Sequence, residues 1–382
     1  MGLLKYKILL LMLSILVVSC NRSVIKYSSK LDENPYQMFG KNPSREFFIN
    51  KSISDSLILK WENDIYGSFL NSSVAVYSDM VFVNDLSGRV FCFQFDTGNE
   101  IGFVKYGSGS VLTTPIPYRN NLVFAVADEN ESMSELVSYD YYAGKENNNV
   151  EVPGRVLTQM IADSATVYFT TEIGSAFRYT ARGRKLWETH TRIPTRSSPA
   201  LYDSLLIFGN DEGEIIALNS ENGDSVYAQS IGGAFFSGLT ISNDVIYVGN
   251  NNGILYALNY TDGEIIWQFN SNARILMNPA IDSTNVYFGN AEGAFFSVKK
   301  SNGELNWKLN FPGLFDATPL ITQNRIILPD ILFAVHLIDK NTGEIKKTIS
   351  LEGRAKLTPV IHNNILFIGF DDGIVRAYEF SE

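Results

Sequence analysis

Histidine and cysteine are scarce in this 382-residue sequence, with three of the first and two of the second. His190, His336 and His362 lie far apart and none sits beside a cysteine, so a Cys/His metal centre is not expected, and each is read as a surface or strand histidine. Charge is thin too, at 19% of residues against the usual ~25%, and the 31 basic side chains are outnumbered by 41 acidic ones for a net charge of −10. That shortage of positive charge sets aside a general nucleic-acid binder, which needs a basic footprint for phosphates. No nucleophile elbow, no phosphate-binding glycine loop and no Asp-x-Asn-x-Asp-Gly calcium spacing is found, so neither an enzyme nor a bound cofactor is expected. What is abundant is apolar: 45% hydrophobic residues exclude global disorder, and Gly 29, Tyr 19 and Phe 25 favour strands and tight turns over helices.

Lys5 and Lys7 precede an apolar run from Ile8 to Val18, broken only by Ser14. Eleven residues cannot span the ~30 Å hydrocarbon core as a helix but suit the central region of a signal peptide. The run ends in Val17-Val18-Ser19-Cys20, which resembles the lipobox of bacterial lipoproteins. The resemblance implies cleavage after Ser19, a signal peptide over residues 1–19 and lipidation of Cys20, hence a chain anchored to a membrane without crossing it. Losing Lys5 and Lys7 would take the side-chain charge from −10 to −12 (−10 − 2). With Cys20 lipidated no intrachain disulfide can form, and Cys92, in the alternating run Val90 to Phe95, reads as an inert strand residue. Residues 20–51 are polar, carry Pro35 and Pro43 and show no sustained period; they are expected to form a tether, about 30 Å across as a coil, whose Phe47-Phe48-Ile49 patch is free to dock on the body.

Residues 52–382 repeat. The clearest copy runs from Asn278-Pro279-Ala280-Ile281 through Val286-Tyr287-Phe288-Gly289 and Gly293-Ala294-Phe295-Phe296 to Gly303-Glu304-Leu305-Asn306-Trp307, and others begin at Pro319 and Pro359. Counting backwards gives Gly238, Pro199, Met160, Pro115 and Val74, with an insertion only in the second unit, around Asp128 to Glu135. Each unit holds four short β-prone runs, A to D. Glycine-flanked Asn and Asp residues separate B from C, and Asn222-Gly223, Asp262-Gly263 and Asn302-Gly303 separate C from D, which are hairpin signals. Four-stranded units at a ~40-residue period predict an all-β, eight-bladed propeller of antiparallel blades rather than the two or three domains that length alone suggests. The eighth unit ends after its C strand, and Leu57-Ile58-Leu59-Lys60-Trp61 reads as a spare D strand that completes it and closes the ring.

The C–D stretch from Ala257 through Gly263 to Trp267 resembles the PQQ-like (quinoprotein) repeat signature Ala-x-Asp-x-x-Thr-Gly-x-x-x-Trp, with Asn259 in the Asp position. Ser297 through Gly303 to Trp307 follows it more loosely, Ala217 through Gly223 ends in Tyr227, and Trp187 and Trp61 hold the same position in their units. In that family the tryptophan packs between blades, so Trp61, Trp187, Tyr227, Trp267 and Trp307 are expected to dock each blade on the next. The chain is similar, within it, to the BamB lipoproteins of the outer-membrane β-barrel assembly machinery. Their partner motif, Leu-x-Leu-Arg-Gly before Ser/Ala-x-Pro, is matched at 191–199 only by Ile193 and the Ser-Ser-Pro ending, with arginines at 192 and 196. Their Asp-x-Asp position reads Gly233 to Gly238 and lacks both aspartates.

A four-stranded meander sends D–A connections and B–C hairpins to one face and A–B and C–D turns to the other. The second face reads as plain polar turns: Asp282 to Asn285, Gln323-Asn324 and Asn363-Asn364. The first offers Arg192, Ile193, Arg196, Phe235, Phe236, Arg274 to Leu276, Leu314, Phe315, Asp316, Arg354 and Lys356, the arginine and aromatic types favoured at interface hot spots. The expectation is a monomeric, non-catalytic scaffold, an outer-membrane lipoprotein facing the periplasm. It docks an envelope protein through that face, a β-barrel assembly component if the resemblance extends to the partner. Asn21, which is unlike the Asp that retains lipoproteins in the inner membrane, supports the outer location. The rival expectation is a glycan or small ligand at the channel mouth on the same face.

Overall fold

The computed structural model describes residues 24–30, 32 and 34–381; the expected signal peptide 1–19 and the expected lipidation at Cys20 lie outside the described residues. Eight four-stranded antiparallel sheets are present. Their A strands are Ala75–Tyr77, Ile116–Tyr118, Ile161–Ala162, Ala200–Tyr202, Thr240–Ser242, Ala280–Ile281, Leu320–Ile321 and Val360–His362, blades one to eight in order. Blade eight takes its D strand, Leu57–Asp64, from the start of the domain, paired antiparallel with Ile374–Phe380. The ring is therefore closed by its two ends, as the spare Trp-bearing strand predicts.

Burial follows from position in the blade. B strands such as Met80–Asn84 and Leu205–Gly209 are buried at every residue, because neighbouring blades cover both of their faces. The D strands are outermost and mostly exposed, as in Leu305–Asn310. Each blade's C–D pairing carries a bulge at the same place, for example between Ala257 and Leu258 opposite Ile265 and Trp267. Skipping Ile266 leaves both isoleucines exposed and turns Trp267 back into the interface, a re-aiming that a regular two-residue alternation cannot give. The indole N–H then donates to a carbonyl of the next blade: Trp61 to Phe95 at 2.9 Å, Trp187 to Ser220 at 2.9 Å, Trp267 to Lys300 at 3.0 Å and Trp307 to Lys340 at 3.1 Å. The Tyr227 hydroxyl replaces the indole and reaches Tyr260 O at 3.0 Å. All five expected docking residues do the same job.

Three details differ from the sequence reading. Blade five starts at Thr240, so its slot equivalent to Pro199 before Ala200 is Leu239, not Gly238. In blade two the additional residues mostly lengthen the strands, to Asn121–Ala127, Met133–Asp140 and Lys145–Pro153. The largest difference is the segment expected as a tether. From Val24 onward it lies on the ring, and residues 36–51 fill the central channel: Tyr36, Met38, Phe39, Arg45 and Phe47 are all buried. The inner edges of the A strands would otherwise present unpaired amides to the channel, and the segment accepts or supplies those bonds. Tyr36 exchanges both bonds with Val76, and the carbonyls of Pro43, Ser44, Glu46 and Phe47 accept from Leu201, Ile241, Ile281 and Ile321 at 2.8–3.0 Å. Arg45 has no carboxylate against it among the described residues; Nε donates to Pro199 O at 2.6 Å and Nη2 to Gln159 O at 2.7 Å. Burial pushes its guanidinium down to about 9. Polarity and prolines read as coil because the partners of this segment are backbone groups of strands 40 (76 − 36) to 274 (321 − 47) residues away.

That plug also occupies the face read as plain. Gln323 N donates to Lys51 O at 3.0 Å, Asn324 clasps the backbone of Ile53, and Lys51 Nζ reaches Asn363 O at 2.9 Å and Asn364 Oδ1 at 3.0 Å.

A candidate docking face

Seven of the eight D–A connections run buried, outward and buried just before the A strand, and the one into blade one runs from buried Phe69 through outward Leu70 to half-buried Asn71. The buried first position is held by Phe69, Val111, Val156, Thr195, Phe235, Ile275, Phe315 and Ala355. Phe235 and Phe315 are thus plugs between strands, 0% and 1% exposed, and not partner anchors. Each seats against the glycine that ends the preceding B strand: a Cβ on Gly209 would stand 2.6 Å from Phe235. An aromatic in a loop looks the same in sequence whether it faces in or out, and only the glycine opposite distinguishes the two.

The outward position forms the rim of the channel mouth: Leu70, Leu112, Leu157, Arg196, Phe236, Leu276, Asp316 and Lys356. Leu70 is 45% exposed, and Leu112, Leu157, Phe236 and Leu276 are half-buried. Arg196 lies 3.9 Å over the Phe236 ring and grips Asp211 with both Nε and Nη2, at 3.0 and 2.7 Å to Oδ2. Asp316 pairs with Lys356 at 3.5 Å. The same loop-to-hairpin pairing recurs as Arg155 with Glu172, which holds that carboxyl below its ordinary range, and as Arg354 with Asp371. Arg192 and Arg274 are exposed and have no ion pair among the described residues, while Ile193 and Leu314 are half-buried. Sequence reading missed Leu332 and Phe333, at the tip of blade seven's B–C hairpin and 46% and 51% exposed. The signal was available: where Phe333 stands the other short B–C loops carry glycine (Gly88, Gly174, Gly213, Gly253, Gly293 and Gly373), and where Leu332 stands blades four, five, six and eight carry Glu212, Asn252, Glu292 and Asp372.

Beneath the rim lies a hydrogen-bonded belt. At six of the eight blades the amide of the residue before the A-strand slot donates to the side chain of its equivalent one blade on: Ser73 to Thr114, Thr114 to Gln159, Gln159 to Ser198, Gly238 to Asn278, Asn278 to Thr318 and Thr318 to Thr358, at 2.8–3.3 Å. Thr358 N to Ser72 O and Leu239 N to Ser198 O complete the circuit. Phe39 floors the mouth, leaving about 110 Å³. Small-molecule sites run to ~300–1,000 Å³, so the mouth is short of room for a glycan. The hairpin residues that could resemble calcium ligands are spent on their own loops: Asn210, Asn250 and Asn290 Oδ1 each accept two backbone amides, at 2.9–3.1 Å.

The profile of the family described as outer membrane protein assembly factor BamB, of PQQ-repeat type, matches residues 96–235, 174–313 and 251–382, together well over half of the sequence. The chain belongs to this family. No curated protein sequence matches it. Among solved structures, BamB from Moraxella catarrhalis is similar with a TM-score of 0.71 at 17% identity, over 85% of this chain and 100% of that one. Quinohemoprotein alcohol dehydrogenase from Comamonas testosteroni superimposes with a TM-score of 0.76 at 10% identity, over 91% and 80%. Sqt1 of Saccharomyces cerevisiae gives 0.72 at 13%, over 84% and 98%. At these identities the likeness is one of fold, shared by this BamB-family propeller with a dehydrogenase and with a yeast protein.

Proposed function

We propose that this propeller is a non-catalytic, lipid-anchored scaffold of the cell envelope that docks a partner protein through its D–A/B–C face, in a role in outer-membrane protein assembly like the one its family is described by. The observation that carries the reading is the rim itself. Five of its eight outward side chains are apolar (Leu70, Leu112, Leu157, Phe236 and Leu276), although the buried residue beside each already fills the core below. Leu332 and Phe333 extend the apolar area, and the stacked Arg196–Phe236 pair supplies an aromatic and a guanidinium held in place before contact. Family membership and the Cys20 lipobox support the envelope location.

The test is a photo-crosslinking residue at position 236 in cells, with position 226 on an outer strand as the control. The expected product joins position 236 to a component of the β-barrel assembly machinery. Phe236→Ala should abolish co-purification of that component while leaving the urea midpoint unchanged. Crosslinks absent at 236, or equal at 226, would refute the docking face.

A further inference from the structure

The course of the chain before the plug limits where an upstream anchor lies. Val24 to Tyr27 is clamped at the rim between blades one and two, on the A–B/C–D side. The Val24 carbonyl sits so close over Gly102 that a Cβ there would be 2.2 Å away. The Tyr139 hydroxyl donates to Ile25 O at 3.1 Å, Tyr27 N to Tyr141 O at 2.8 Å and the Tyr27 hydroxyl to Asp79 at 2.6 Å. Ile25 is fully buried, so the clamp is part of the fold. Four residue steps (24 − 20) separate Val24 from Cys20, a reach of about 14 Å when fully extended.

Unpaired cations gather at the same corner of this acidic protein, beside the turn carboxylates Asp79, Asp140 and Glu146. Arg119, Arg182 and Arg184 line one open hollow with Tyr118, on the flank of blade two facing blade three. Lys26 and Tyr142, the latter 56% exposed, line a hollow on its other flank. All four cations are exposed, and none has an ion-pair partner among the described residues. Elsewhere on this face, the turns of blades four and five carry Asp203, Asp224, Asp244 and Asp262. A bilayer with anionic headgroups attracts the first region and repels the second, and tyrosines with one polar end suit the headgroup level.

We propose that the corner formed by blade two and its two flanks is a membrane-facing surface that takes the headgroups of an anionic bilayer. It holds the A–B/C–D face toward the lipid and turns the D–A/B–C face away. The inference rests on the lipidation of Cys20. The short leash brings the corner to the headgroups, and charge selects which side of the acidic ring approaches, each basic side chain being worth roughly fivefold in partitioning.

The experiment uses the full acylated protein in phosphatidylethanolamine–phosphatidylglycerol vesicles that carry a spin-labelled headgroup. A fluorophore is placed on Asn120→Cys, in the blade-two A–B turn, or on Glu212→Cys, in the blade-four B–C hairpin; both sites are exposed, and Cys92 is fully buried. Quenching several-fold stronger at 120 than at 212 is expected, and equal or reversed quenching overturns the orientation. The triple variant Arg119→Glu, Arg182→Glu, Arg184→Glu should lose the contrast with unchanged circular dichroism; a contrast that persists overturns the role of the basic corner. The mass of the N-terminal peptide and vesicle flotation report the anchor separately. An unacylated chain that does not float overturns both readings, whereas an acylated, floating chain with no contrast overturns the orientation alone.

Discussion

Closure of the ring through Trp61 can be tested by truncating that one side chain. Trp61 is buried, lies 5.7 Å from the Phe367 ring of blade eight and 6.3 Å from Phe93 of blade one, and donates its indole N–H to Phe95 O. A tryptophan buries ~150–250 Å², worth about 4–6 kcal/mol at ~25 cal/mol per Å², and truncation of large aromatics in cores costs about 3–5 kcal/mol. Trp61→Ala should therefore lower the unfolding free energy by about 4–5 kcal/mol. Trp61→Phe keeps most of the area but leaves the Phe95 carbonyl without its donor, for a loss of about 1–2 kcal/mol. Urea titration followed by far-UV circular dichroism reads both values. Trp267→Ala removes an equivalent contact inside the ring at similar cost, but only Trp61→Ala should accelerate amide exchange in Leu57–Asp64, since that strand is the seam. A Trp61→Ala protein within about 1 kcal/mol of wild type would refute the docking argument. Equal exchange of the seam strand in the two alanine variants would refute the closure argument.

The belt predicts that Thr318→Val, which keeps the shape and removes the acceptor for Asn278 N, costs about 1–3 kcal/mol in a urea titration; an unchanged midpoint would mean the belt adds nothing. Asp282 is buried, which by itself would raise its pKa, yet Lys340 Nζ at 2.7 Å and the amides of Thr284 and Asn285 hold it below the ordinary carboxylate range. Its stabilising effect is therefore present above the unfolded value near ~3.9 and is lost as pH falls through the lower folded value. Lys340→Met should cost about 3 kcal/mol near neutrality and almost nothing once Asp282 is protonated in both proteins. Urea midpoints at the two pH values check this, and a gap that persists in acid would refute the ion-pair origin.

Much of the architecture was legible because each blade repeats the same local chemistry. The Asn-Gly and Asp-Gly hairpins, the apolar B strands and the five blade-docking aromatics carry their own local signals, and a spare Trp-bearing strand at one end with a missing D strand at the other implies closure. The candidate face was less legible. Phe235 and Phe236 are adjacent and identical, yet one fills the space above Gly209 and the other lies under Arg196. Which is core and which is surface depends on a glycine 26 residues away (235 − 209) and an arginine 40 residues away (236 − 196).

The sequence by itself determined the eight-bladed ring, its closure and the family, since period, turn chemistry and the tryptophan position are properties of consecutive residues. Only the tertiary structure decided that residues 36–51 form a plug and that Arg45 is buried among carbonyls. It also decided that the segment expected as a tether packs on the ring from Val24 onward. A segment with no periodicity of its own is ordered by the inner edges of strands from other blades, and no local signal records a hydrogen bond to a backbone 158 residues away (Leu201 to Pro43). Burial likewise pushes up the thiol of Cys92, whose inward place in its strand the alternation from Val90 to Phe95 already predicts.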